Sequence, residues 1–274
     1  MNRLLHAGMY RLRKNKVFFA SLFIPAFYSV CVMVSQYLPM KQSGADYAPD
    51  TFLFQFLILT GLTMSVFISL YVGTDYHDGT LRNKLIGGLS RNCVYLSNFL
   101  LTCLVGILSV LFAYLVGAGV GISFFGMFEM PPEQLILTGI VGVLLNVAYI
   151  SVFNMISMLS SSKTNSAVDC ILLGLVMIIA ASMIFSKLSQ PEWIDQALIQ
   201  NGKTTMETVK NPRYVTGMTR AIYQNIIDFL PSGQAVQILN QEDIHAGKMI
   251  AYAICIILGT NIAGLQIFKR KDIK

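Results

Sequence analysis

From Val17 to Leu38 the chain reads "VFFASLFIPAFYSVCVMVSQYL", 22 residues without a charge. A bilayer core of roughly 30 Å is crossed by about 20 residues of α-helix, and backbone groups cannot be left unpaired in hydrocarbon, so such a run leaves few alternatives to a membrane span. Five further stretches meet the same requirement: residues 51–72, 93–125, 135–159, 168–185 and 249–268. The third is longer than one upright span needs, which implies a tilt or an interfacial turn at one end. Composition agrees. With 54% hydrophobic and 12% charged residues and a mean hydropathy of +0.61, there is too little polar surface to cover a soluble globule of 274 residues. The expected fold is an all-α membrane protein with six transmembrane helices in a single domain, residues 1–274.

The net charge of +6 calls for an anionic partner. Because the basic residues crowd beside apolar runs, that partner is the lipid bilayer and not nucleic acid. Positive charge is retained on the cytoplasmic side of a membrane. Thirteen Lys and Arg residues fall in the N-terminal segment, the loop after the second run, the Ser161 region and the tail, against six in the alternate loops. Both termini are therefore expected in the cytoplasm. The N-terminus fails as a secretory signal, since its apolar run is too long and no A-x-A-like site follows. Within residues 1–16, Leu5, Met9 and Leu12 share one helical face with basic residues around the other. That suits a helix lying in the headgroup layer, the alternative being an ordinary basic flank. All five cysteines lie in or beside apolar runs, where Cys behaves as a small hydrophobe, and no disulfide framework or CxxC metal site is expected.

Residues 187–248 form the largest segment outside the spans and are expected on the extracellular side. There Val215, Met218, Ile222, Ile226 and Phe229 recur at three- and four-residue spacing before Pro231, the pattern of an amphipathic helix stopped by proline. A lid over an exit and a brace on the outer ends of the spans fit that helix equally. The Gly-Lys-Thr of "NGKTT" (Asn201 to Thr205) is no P-loop, because the required glycine five positions before Gly202 is Ala197. "GAGVG" (Gly117 to Gly121) satisfies G-x-x-x-G and speaks for close helix packing alone.

Intramembrane enzymes and proton-driven pumps need ionisable groups in their spans. Asp169 is the single acidic residue near one, at the start of the fifth, where a helix N-terminus suits a carboxylate. His6, His77 and His245 all lie outside, so a histidine-dependent intramembrane hydrolase has no material to work with. No metal site and no catalytic residue is expected. Asn146, Asn154 and Asn261 are candidates for interhelical hydrogen bonds, with pathway contact as the alternative.

The charged stretch "GTDYHDGTLRNKLIGGLSR" (Gly73 to Arg91) separates the second and third spans. Thr74 or Asp75 can cap a helix over about residues 74–86, with Asp78 in its first turn, Asp78 and Arg82 paired four residues apart, and Gly87 and Gly88 stopping it. On residues alone, a short helix tethered tightly to two spans and a plain solvated loop are equally good readings.

The order of basic amphipathic N-terminus, six spans, a "GT(D/E)…DGTLRN-L…G-SR" segment and "LPSGQ" before the last span resembles the ABC-2 family of exporter permeases, in particular the bacterial bacitracin and lantibiotic transport permeases. The resemblance implies that residues 74–86 are a coupling helix seated on a separate ATP-binding subunit. It implies coupling roles for Asp75, His77, Asp78, Gly79, Thr80, Leu81, Arg82, Asn83, Lys84 and Arg91. Asp75 stands where the family usually has Glu, Leu89 where it often has Pro, and Asn98 where a basic residue is common. Lacking a P-loop, the chain would bind no cofactor of its own, with ATP and Mg2+ held by two copies of the ATP-binding subunit. Six spans are half of an ABC-2 pathway, so a second permease, an identical copy in the simplest case, is implied. The implied setting is the bacterial cytoplasmic membrane, and the implied function is export of a hydrophobic or amphipathic peptide antibiotic, lipid or drug, contributing to antimicrobial peptide resistance. A secondary transporter and a non-transporting scaffold or sensor subunit are the competing readings.

Overall fold

A computed structural model of the chain describes residues 1–44, 48–160, 162–200, 203–240 and 245–271; Ser161, Asn201, Gly202 and Lys274 lie outside them. The chain forms α1 (Asn2–Arg13), α2 (Lys16–Ser43), α3 (Asp50–Leu53), α4 (Leu57–His77), α5 (Thr80–Ile86), α6 (Arg91–Phe125), α7 (Pro132–Leu159) and α8 (Lys163–Leu188). A hairpin follows, β1 (Trp193–Gln200) and β2 (Lys203–Lys210), then α9 (Gly217–Phe229), α10 (Pro231–Leu239) and α11 (Ala246–Arg270). Among the described residues six helical stretches are long and apolar enough to cross a membrane: α2, α3 with α4, α6, α7, α8 and α11. The protein is an all-α membrane protein in architecture, with one small hairpin added.

The helices outrun the apolar runs that announced them, because each continues to a cap or a glycine and not to its last apolar residue. Asn15, Ser90 and Ser162 cap α2, α6 and α8 by accepting from the backbone N–H groups of Val17, Cys93 and Asn165. Asp169 therefore sits in the second turn of α8 and not at its start. The long third run contains no turn: α6 is one unbroken helix of 35 residues, about 52 Å at ~1.5 Å per residue. Pro25 lies inside α2 and cannot donate to the Ser21 carbonyl; Ser109 Oγ of α6 donates to that carbonyl instead, at 2.7 Å.

Lipid tails are as apolar as the helices, so association rests on close packing and interhelical hydrogen bonds more than on hydrophobicity. α2 runs along α6, α11 along α7, and α4 is held between α7 and α8. The core holds Met64, Phe67 and Tyr71 from α4 against Tyr149 and Phe153 from α7. "GAGVG" does pack closely: Gly117 and Gly121 of α6 face Ser29 and Met33 of α2.

The segment before the last span is richer than a single amphipathic helix. β1 and β2 pair antiparallel from Trp193↔Lys210 to Gln200↔Lys203. Pro231 ends α9 but also occupies the first turn of α10, where its missing N–H costs nothing. Residues 231–238 of α10 are buried without exception, wedged among α4, α7, α8 and α9. Gly233 makes this possible, since a Cβ there would stand 2.1 Å from the Ile227 carbonyl oxygen. α9 is turned opposite to a helix in water. Its apolar stripe points outward, with Met218 82% exposed and Ile222, Ile226 and Phe229 also exposed, while Asp228 is fully buried and Gln224 bonds to Gln237 of α10 at 3.1 Å. That orientation is favourable only where the surroundings are apolar.

Candidate functional site

The stretch from Gly73 to Arg91 is organised around one carboxylate. α4 does not stop at the apolar boundary but carries on through His77, which puts Asp75 in its last turn, fully buried. A buried carboxylate persists only if paired and hydrogen-bonded. Asp75 Oδ1 accepts from Arg11 of α1 and from Thr80 Oγ1 (2.7 Å), and its Oδ2 accepts from Lys84 Nζ (2.9 Å). Three elements, α1, α4 and α5, thus meet on one side chain. The Arg11 guanidinium also lies over the Tyr71 ring, 3.9 Å from its centroid. Burial alone would lower the Arg11 pKa, but Asp75 and Tyr71 outweigh it and hold the group above the arginine norm, so it stays charged.

This geometry corrects the single helix expected over residues 74–86. Thr74 to His77 belong to α4, the chain reverses at Asp78 and Gly79, and the short helix begins at Thr80. Gly79 has φ +65°, a left-handed conformation that glycine adopts without strain. Asp75 does not cap a helix; its oxygens are taken by Arg11, Lys84 and the Thr80 hydroxyl. Asp78 does not pair with Arg82, because the reversal carries it away; Asp78 Oδ1 meets His77 Nδ1 at 2.9 Å on the surface. In α5, Leu81 is the buried root, Lys84 is half-buried, and Arg82, Asn83 and Ile86 face outward, Ile86 with 73% of its surface exposed. Gly87 and Gly88 end α5, as expected.

Arg91 opens α6 and turns toward the other end of the chain, donating to the backbone carbonyls of Phe268 (3.0 Å) and Lys271. Lys271 in turn donates to Tyr76 Oη (3.0 Å) and to the Met158 and Ser160 carbonyls at the end of α7. Burial pushes the Lys271 ammonium down to about 8. The ends of α4, α7 and α11 and the start of α6 are therefore fastened together beside α5.

Of the three asparagines, Asn146 makes an interhelical bond, its Nδ2 donating to the Gly106 carbonyl of α6 at 2.9 Å. Asn261 bonds back to Ile257 of its own helix at 2.8 Å and makes no interhelical bond among the described residues. Asn154 is buried and faces Tyr95 with neither group in a hydrogen bond of good geometry.

The Leu5, Met9 and Leu12 stripe does not mark Arg11, because the buried face of α1 is slightly rotated from it: Leu4 and Leu12 are buried, Leu5 and Met9 only partly. Leu4, Gly8 and Arg11 at spacings of four and three were the available signal. Asp228, Gln234 and Gln237 were missed for a different reason, since their burial depends on α10 and no apolar period marks it.

Residues 17–274 match a family described as protein of unknown function (DUF2705), and the chain belongs to that family. No curated protein matches it.

Proposed function

We propose that this DUF2705 chain is the membrane-spanning permease subunit of an ATP-driven exporter. The observation that carries the reading is α5, a seven-residue helix rooted by Leu81 and by the Lys84–Asp75 ion pair, with Arg82, Asn83 and Ile86 presented outward between two spans. A solvated loop needs no buried root. A helix held at its base and exposed at its tip is suited to receive a push from a separate protein and to pass it into α4 and α6, to which it is joined by two and four residues.

The excess of basic residues at the same end favours the cytoplasm for both termini and for α5, within a bacterial cytoplasmic membrane. The docking partner is an ATP-binding subunit, present twice, which holds ATP and Mg2+; a second permease, an identical copy in the simplest arrangement, completes the pathway. Closure of the ATP-binding pair moves α5, Asp75 carries that motion to α1 and α4 together, and the paired bundles open outward. The cargo class is hydrophobic or amphipathic, a peptide antibiotic, lipid or drug.

The test is co-purification with a candidate P-loop ATP-binding subunit co-expressed with it, reconstituted in lipid nanodiscs. The double variant R82A/I86A is expected to fold normally and to lose complex formation with that subunit. A wild-type chain that forms no complex, or variant complexes with undiminished ATPase activity, would refute the coupling role.

A further inference from the structure

Behind the Asp75 hub lies a cavity of about 180 Å³, bounded by α1, α4, α5 and α6, far above the ~10–15 Å³ that one water needs. Its charged lining is Arg11, Lys84 and Asp75, one net positive charge. The carboxylate is already satisfied by Arg11, Thr80 and Lys84. What remains unmet is chiefly donor capacity. Among the described residues Arg11 Nε is buried without a partner, and the Lys84 ammonium, about a quarter exposed, has three hydrogens and one bond. Buried donors left unmade are costly, so the cavity favours an occupant that accepts hydrogen bonds and carries negative charge.

We propose that this cavity binds a phosphate group, supplied by the headgroup of a phospholipid in the leaflet beside α1. A phosphodiester carries one negative charge against the one net positive charge here, and it offers acceptors without donors. Arginine's planar fork suits such oxygens better than any other side chain. A third cation is repelled by the two already present, and a neutral amide would answer the donors but leave the charge unbalanced. Ser97 and Asn98 of α6 add polar wall beside the cations, while Leu4, Ala7 and Leu101 supply an apolar side that suits the glycerol and first methylenes of a lipid. Basic pockets between spans take headgroups in the same way. The inference stands on the cavity and does not depend on the transport reading.

The full-length chain in detergent micelles is titrated with three probes while thermal unfolding is followed: dioctanoyl phosphatidylglycerol, dioctanoylglycerol and inorganic phosphate. Phosphatidylglycerol is expected to raise Tm by several degrees and dioctanoylglycerol to leave it unchanged. Arg11→Lys, which keeps the pairing to Asp75 but removes Nε, is expected to weaken binding at least ten-fold. Ala7→Phe, at an exposed position where folding is safe, is expected to do the same by filling the mouth. Stabilisation by inorganic phosphate equal to that by the lipid sustains the phosphate site and changes its source to a soluble one. Equal shifts with dioctanoylglycerol, no shift with either phosphate probe, or native binding by A7F would overturn the proposal.

Discussion

Replacing Asp75 by Asn removes one charge from the most heavily shared side chain of the protein and leaves its shape. Asp75 accepts three hydrogen bonds, two of them from cations. Bonds to charged groups contribute about 1.5–3 kcal/mol each. Arg11 is about a third exposed and Lys84 about a quarter, so solvent screening puts both near the lower end. The expected loss for D75N is therefore ~3 kcal/mol, with the Thr80 bond kept. Lys84→Met alone removes one of those bonds, and once Asp75 is Asn there is no longer a charge for Lys84 to meet. The double variant should consequently be more stable than the sum of the single losses by ~1–1.5 kcal/mol. Unfolding in mixed micelles with increasing SDS, read by labelling of the buried thiols of Cys103 and Cys170 after Cys31, Cys93 and Cys255 are replaced, measures all four corners of the cycle. Additivity within ~0.5 kcal/mol, the usual behaviour of independent sites, would refute the assignment of Asp75 as the shared brace.

Arg82→Ala removes an exposed side chain with no ion pair among the described residues, so stability should stay within ~0.5 kcal/mol, by the same thiol assay, even as partner binding falls. Asn146→Ala should cost about 0.6–2 kcal/mol by deleting the bond to the Gly106 carbonyl, whereas Asn261→Ala, which breaks only a bond within its own helix, should cost less. Gly233→Ala forces Cβ onto the Ile227 carbonyl and should destabilise by at least ~1–3 kcal/mol, seen as protease cleavage between α9 and α10. Burial lowers the Lys271 pKa to about 8 from an ordinary 10.5, so between those values the unfolded chain holds a proton that the folded one has lost. Stability should therefore rise as pH climbs from about 8 to 10.5, and Lys271→Met should abolish that rise in a pH series of thermal unfolding.

The spans were legible because a bilayer imposes a length and forbids charge, and both constraints are written into consecutive residues. Their limits were less so: α4 continues past Val72 because Asp75, polar in the sequence, is made compatible with burial by Arg11, a residue 64 positions earlier. Local propensity carries no trace of that partner. Gly79 was legible as a turn residue but also lay inside a good capping pattern, and the pattern read as one helix what the left-handed glycine breaks into two. The hairpin has a signal in the sequence, the Asn-Gly pair at 201–202 between a segment with Trp193, Ile194 and Ile199 and one with Thr204, Thr205, Thr208 and Val209. α10 offered the least. "PSGQAVQI" has no apolar period, and it is buried because α9, turned with its polar face inward, supplies Gln224 and the Asp228 carbonyl as partners.

α6 has a further consequence that its length makes unavoidable. At about 52 Å it exceeds the ~30 Å hydrocarbon core, so part of it projects beyond the hydrophobic layer. It is unbroken, with α2 laid along it as a stiffener. Such a rod pivots as a lever: a tilt of ~5° about its midpoint displaces each tip by ~2 Å, a hydrogen bond's worth of travel, in opposite directions on the two faces of the membrane. At one tip sits α5; at the other, the loop whose backbone N–H groups at Glu129 and Met130 are held by Asp50. A small displacement on either side of the bilayer is therefore felt, reversed in sign, on the other.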